Sequence, residues 1–128
     1  DLHSRFNINN VVDLKTDPYT PQYRSFAYDC LNKLNTRLEQ NYMADLILSH
    51  VSSQSPKPRL FEHDAELIKV AGISTKSYQV IKPHIVALPT LTTVNVNTTG
   101  AEVLGCLHAD LSPSIAKQIV SKRTEQAF

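Results

Sequence analysis

The sequence predicts a mainly α fold, and three observations carry that expectation. Only three of the 128 residues are glycine. Apolar side chains recur at the three-and-four spacing of one helix face, and runs of strict apolar–polar alternation, the mark of a half-buried strand, are hard to find. Prolines fall in the stretches between these periodic segments, where they end helices rather than interrupt them. With 41% apolar and 20% charged residues the chain belongs to the globular class, and at 14.3 kDa it holds enough residues for one core. Thirteen basic residues against twelve acidic ones leave a net charge of +1, which selects neither nucleic acid nor an acidic membrane. No apolar run reaches the roughly 18 to 20 residues of a membrane span, and no charged start leads into a signal-like apolar stretch.

Taken in order, Asp17-Pro18-Tyr19-Thr20-Pro21 reads as a turn, followed by a helix over roughly 21–39 with Phe26, Cys30, Leu31, Leu34 and Leu38 inward. Asn41 is expected to cap a second helix whose buried side carries Met43, Ala44, Ile47, Leu48 and Val51. The polar stretch Ser52 to Pro58 ends it as a loop. From Asp64 an apolar stripe at Leu67, Ile68 and Ala71 runs to Gly72, the residue suited to the left-handed position past a helix. A short helix over 74–82 stops at Pro83, and Ile85 to Pro89 runs extended toward Val94 and Val96. Asn97 or Thr98 then starts a helix with Val103, Leu104 and Leu107 inward and Thr99 and Glu102 at capping-box spacing. Ser112-Pro113 opens the last helix, with Ile115, Ile119 and Val120 on its buried face to about Arg123.

A faint internal repeat accompanies these elements. Arg5-Phe6-Asn7-Ile8-Asn9-Asn10 echoes Val94-Asn95-Val96-Asn97, and the string from Ala44 to Ser49 echoes that from Ala116 to Ser121. Asn7, Asn9, Asn95 and Asn97 are thus expected as structural caps, their amides bonding main-chain groups where the chain turns into a helix. Cys30 and Cys106 are too few for a disulfide framework and too far apart for a CxxC motif. Two unpaired core thiols are the commoner outcome on apolar helix faces. The alternative is one bridge between the two ends of the chain, and only that alternative implies an oxidising compartment.

Candidate chemistry is sparse. Of His3, His50, His63, His84 and His108, only His108 stands near another His or Cys, namely Cys106, and two ligands do not complete a zinc site. His63-Asp64 beside Glu62 has the residue types of acid–base catalysis, but acids also gather at helix amino-termini for electrostatic reasons. No nucleophile elbow, phosphate loop or dinucleotide fingerprint occurs, and the chain is read as a non-enzyme without a cofactor. The sequon at Asn97 is read as a helix cap rather than a glycosylation acceptor. Tyr19 and Tyr23 flank Pro21, and aromatic rings on a rigid turn are common anchors for protein partners. Loops 15–23 and 52–63 are accordingly the expected contact regions, with Tyr19, Pro21, Tyr23, Lys57 and Arg59 as candidate partner-binding residues.

The string Val94 to Thr99, followed by Glu102-Val103-Leu104, Leu111-Ser112, Ala116, Ile119 and Arg123, resembles the second half of the type II secretion minor pseudopilin K family, GspK. Arg5 to Asn10, Glu66-Leu67 with Val70 and Gly72, and Tyr78 with Pro83 and Leu88-Pro89 resemble its first half. The resemblance implies two small units of the sterile-alpha-motif or helix-hairpin type packed as one compact domain, 1–91 and a truncated 92–128. It implies a fragment, the domain that the family inserts into a pilin-like body, with an N-terminal helix outside this chain anchoring the full-length protein in the bacterial inner membrane. It further implies a periplasmic place at the pseudopilus tip beside the minor pseudopilins I and J, with contacts to exported cargo and a capping role.

Two departures stand out. Some family members bind calcium through acidic loops, but His50 to Pro58 holds no carboxylate, and Thr99 stands where alanine is usual. The rival reading is a helix-hairpin-helix DNA-binding module. Its phosphate-binding hairpin contains glycine, whereas Leu107 to Ser112 has an acid and no glycine, and Lys117, Lys122 and Arg123 form only a small basic cluster.

Overall fold

Helices α1 (Ser25–Arg37), α2 (Ala44–Ser52), α3 (Thr75–Ile81), α4 (Ala101–Leu104) and α5 (Pro113–Arg123) make the chain mainly α. The structure is a computed structural model that describes residues 2–15, 20–95, 98–107 and 113–123. Among the described residues there are four two-residue strands, three before α1 and one after α3: β1 (Phe6–Asn7), β2 (Val12–Asp13), β3 (Gln22–Tyr23) and β4 (Ile85–Val86). β1 and β4 pair in parallel, Phe6 opposite Ile85; β2 and β3 pair antiparallel, Val12 opposite Tyr23.

The first helix starts later than its periodicity predicts. The main chain of Gln22 and Tyr23 is engaged in the β2–β3 ladder, and the Arg24 N–H bonds Val11 O at 2.9 Å, so helical turns begin only at Ser25. Ala27, Cys30, Leu31 and Leu34 form its buried stripe. Phe26, expected inward, is 66% exposed, because it stands about a quarter turn round the axis from that stripe. After the helix Glu39 adopts φ 57°, a left-handed turn in which the Gln40 N–H returns to Asn35 O at 2.8 Å.

Asn41 does not cap α2; it is exposed, and the helix begins at Ala44. The cap position belongs to Met43, whose N–H is taken by the side-chain oxygen of Asn35 on α1 at 3.0 Å. Ala44, Ile47 and Val51 then face the core.

The stripe beyond Asp64 folds as a 3-10 helix over Asp64–Lys69 rather than an α-helix. Within it Leu67 is buried and Ile68 exposed; beyond it Val70 and Ile73 are buried and Ala71 is exposed, so Ile68 and Ala71 leave the stripe expected of them. Gly72 has φ +95°, with Leu46 packed where a side chain would sit, so the residue serves as a left-handed stop. Ser74 caps α3 by accepting the Ser77 N–H at 3.0 Å. Pro83 lies in the short 3-10 turn Lys82–His84 that ends this segment, and β4 follows.

Beyond β4 the chain is held by side-chain amides rather than by a strand. Asn7 Oδ1 accepts the Leu88 N–H at 3.1 Å, and its Nδ2 donates to Thr90 O at 3.0 Å. Asn9 Nδ2 donates to Leu88 O at 3.0 Å and to Phe61 O at 2.9 Å, while its Oδ1 accepts the Phe61 N–H at 3.0 Å. Asn10 donates to Thr92 O at 2.7 Å and accepts the Thr92 N–H at 3.2 Å. Asn7 also caps the 3-10 helix Ile8–Val11, accepting the Asn9 N–H at 3.1 Å.

The second amide-led segment is built differently. The Asn95 N–H donates to His3 O at 2.7 Å, and its main-chain carbonyl accepts the N–H groups of Thr98 and Thr99 at 3.2 and 3.0 Å. Asn97 lies outside the described residues, as do Ser112 and the turn at 16–19. The expected capping box of Thr99 and Glu102 does not form: Gly100 occupies the cap position of α4 without a side-chain hydrogen bond, because the chain turns at Thr98–Thr99 before helical geometry starts. Thr99 is buried, and its hydroxyl has no hydrogen-bond partner among the described residues. In α5 the buried residue is Ala116, whereas Ile115 is 42% exposed and Ile119 and Val120 are half-buried. Ala116 thus takes the inward place expected of Ile115.

Cys30 and Cys106 are bonded, Cα to Cα 4.7 Å, so the expectation of two free thiols gives way to its alternative. The bridge joins α1 to the residues after α4 across 76 positions. One core extends from Phe6 through α1, α2 and α3 to Val103 and Cys106.

Candidate interaction surface

Of the contact residues expected from sequence, Pro21 and Tyr23 lie at β3, and Lys57 and Arg59 lie in the loop after α2. Tyr23 on β3 is 54% exposed, and its ring centroid lies 5.0 Å from that of Tyr28 at an interplanar angle of 48°. The Tyr28 hydroxyl donates to Asp45 at 2.9 Å. That bond, more than the slight desolvation, raises its phenol above the ordinary value. Pro21 is half-buried beside this strand, and Tyr19 lies outside the described residues.

Lys57 and Arg59 project from the loop after α2, both exposed. That loop is anchored at Phe61, whose main chain is held by Asn9 and whose ring stacks on His50 at 5.5 Å. Arg59 borders a polar cavity of about 200 Å³ with His50, Gln54 and Glu62. Among the described residues no hydrogen bond, ion pair or ring contact joins Tyr23 to Lys57 or Arg59.

A feature the sequence reading missed is a groove of about 480 Å³ between the start of α1 and the chain after β4. Phe26 and Leu91, at 66% and 58% exposure, stand in it, with Phe6, Ala27, Val94 and Leu107 completing its apolar lining. Periodicity assigned Phe26 to the core, and that assignment concealed the groove. Of its polar residues, Arg24 is engaged: it donates to Val12 O at 2.6 Å and Asn10 O at 3.2 Å and lies 3.5 Å from Asp13.

The other chemistry-bearing residues serve local structure. His63 caps the 3-10 helix by accepting the Ala65 N–H at its Nδ1. Tyr78 is buried, and desolvation first, then Asp64, raises its phenol above 10.0. Among the described residues no group of three or more His, Cys, Asp or Glu side chains is placed to hold a metal ion. No described helix is long and apolar enough to cross a membrane.

The described residues make a mainly α domain with exposed aromatic and apolar side chains at Tyr23, Phe26, Tyr42 and Leu91. Comparison with known proteins places it more closely. The family model of type II secretion system (T2SS) protein K matches residues 94–128. A chain in the crystal structure of the GspK-GspI-GspJ complex from the enterotoxigenic Escherichia coli type 2 secretion system shares the fold, with TM-score 0.60 and 20% identity. The match covers 94% of this chain and 61% of that one. No curated protein matches. The family model thus reaches residues 94–128, and the fold likeness runs over most of the chain.

Proposed function

We propose that this chain is a non-enzymatic part of a type II secretion pseudopilus and works by contact with other proteins. The observation that carries the reading is the match of residues 94–128 to the protein K family model on a chain whose fold follows a pseudopilin-complex structure over 94% of its length. In this reading the domain caps the pseudopilus tip beside minor pseudopilins I and J and engages exported cargo, while a hydrophobic helix elsewhere in the full protein anchors it. Tyr19, Pro21, Tyr23, Lys57 and Arg59 are the proposed contact residues. The chain divides into units 1–91 and 92–128, and no resident cofactor takes part. A calcium site carried over from the family has little to draw on, because 50–58 offers no carboxylate.

The Cys30–Cys106 bridge supports a periplasmic location, since such bonds persist in oxidising compartments. The direct test is co-expression of the full gene with those of minor pseudopilins I and J of the same organism. The reading expects the three to co-purify and secretion to stop when the gene is deleted. Failure of both results contradicts it. Within such a complex, Tyr23→Ala and Arg59→Ala are expected to weaken association without lowering the melting temperature.

A further inference from the structure

The run after β4 has one side of its main chain occupied and the other open. Leu88, Thr90 and Thr92 are the residues whose main-chain groups meet the amides of Asn7, Asn9 and Asn10. The chain bends at Pro89–Thr90 and then runs without turn or bend over 91–95, where neighbouring residues of an extended chain direct N–H and C=O to opposite sides. Leu91 and Thr93 therefore direct theirs away from the asparagines. Among the described residues neither has a hydrogen bond from its main-chain N–H or C=O, and both are exposed. The apolar groove lies beside this edge.

We propose that the Leu91–Thr93 edge accepts an extended segment of a protein partner as an added strand, with one apolar side chain of that segment seated in the groove. The edge selects the occupant. A helix laid across it would cover two main-chain donors and two acceptors without pairing them, which costs more than its apolar contacts alone return. Charge selects further. Arg24, the charged residue of the lining, is committed to Asp13 and two carbonyls, so nothing in the groove compensates a charged insert. Pro89 lacks an N–H and ends the edge on its upstream side, which fixes where the added strand begins. The inference does not depend on the pseudopilus role.

The probe is an acetylated, amidated hexapeptide of alternating threonine and valine, titrated into the isotope-labelled chain while its amide resonances are followed. Saturable shifts centred on Leu91 to Val94 are expected. Methylating alternate main-chain nitrogens of the peptide weakens binding about tenfold, the scale of a lost main-chain hydrogen bond. Thr93→Pro, which removes one edge donor, weakens it similarly while the melting temperature holds. Four outcomes overturn the proposal: absence of saturable shifts at millimolar peptide, shifts centred elsewhere, equal binding of the methylated peptide, and slow exchange of the Leu91 and Thr93 amides in the free chain. Concentration-dependent shifts at this edge without peptide assign it to a second copy instead and overturn the proposal too.

Discussion

The two amide-led segments share a sequence pattern and differ in what holds them. In the first, Asn7 and Asn9 are buried at 1% and 3% exposure and use their side chains to bind Phe61, Leu88 and Thr90 across 52 to 83 positions of sequence. In the second, the main chain of Asn95 makes a turn to Thr98 and Thr99 and donates to His3 O, and a covalent tie, Cys30 to Cys106, follows. A polar string thus specifies a local turn. Whether it also organises the core depends on which side chains are buried and what unpaired main chain lies opposite them.

Substitutions that remove one tie and leave the other break this comparison most sharply. Replacing Cys30 and Cys106 by serine removes a closure of 76 residues, which chain-entropy arguments value at about 4 kcal/mol. Urea unfolding is expected to show a loss of that order, and a change below about 1 kcal/mol contradicts the role given to the bridge. Asn9→Ala strands the main-chain N–H and C=O of Phe61 and the C=O of Leu88. The expected cost is about 3 kcal/mol, from buried groups left unpaired.

A smaller effect comes from Tyr78, packed in the first region against Asp64 at 3.3 Å. Its phenol is raised above 10.0 in the folded chain, so the folded state holds that proton more tightly than the unfolded state. The stability from the neutral ring is complete below pH 10 and is lost as pH rises through the raised value. Tyr78→Phe should flatten the alkaline decline in stability above pH 10; an unchanged decline assigns it to other groups. The smallest effect is expected from Phe26→Ser. At 66% exposure it should alter stability by no more than about 0.5 kcal/mol, and a loss above about 2 kcal/mol would return this residue to the core.

Much of this fold was legible in the chain. The inward positions of Leu31, Leu34, Ile47 and Val51 follow from helical period alone, and Gly72 and Ser74 mark a stop and a start by their backbone and hydroxyl chemistry. The failures have particular causes. Ile68 was misplaced because a period of three and a period of 3.6 differ little over two turns. Asn41 was misassigned as a cap because the oxygen that serves α2 comes from Asn35, eight residues from its partner, and no local pattern announces it. The pairing of Cys30 with Cys106 depends on tertiary proximity, which spacing does not encode. The groove was hidden for the same reason: its two sides lie more than sixty positions apart, and only the fold joins Phe26 to Leu91.

The central claim is that side-chain amides hold the first segment and the disulfide holds the second. Amide hydrogen exchange on the Cys30→Ser, Cys106→Ser double variant tests it most directly. Protection should fall over residues 98–107 while the amides of Phe61, Leu88 and Thr92, bound to Asn9, Asn7 and Asn10, keep theirs. Equal loss of protection in both regions would contradict the account.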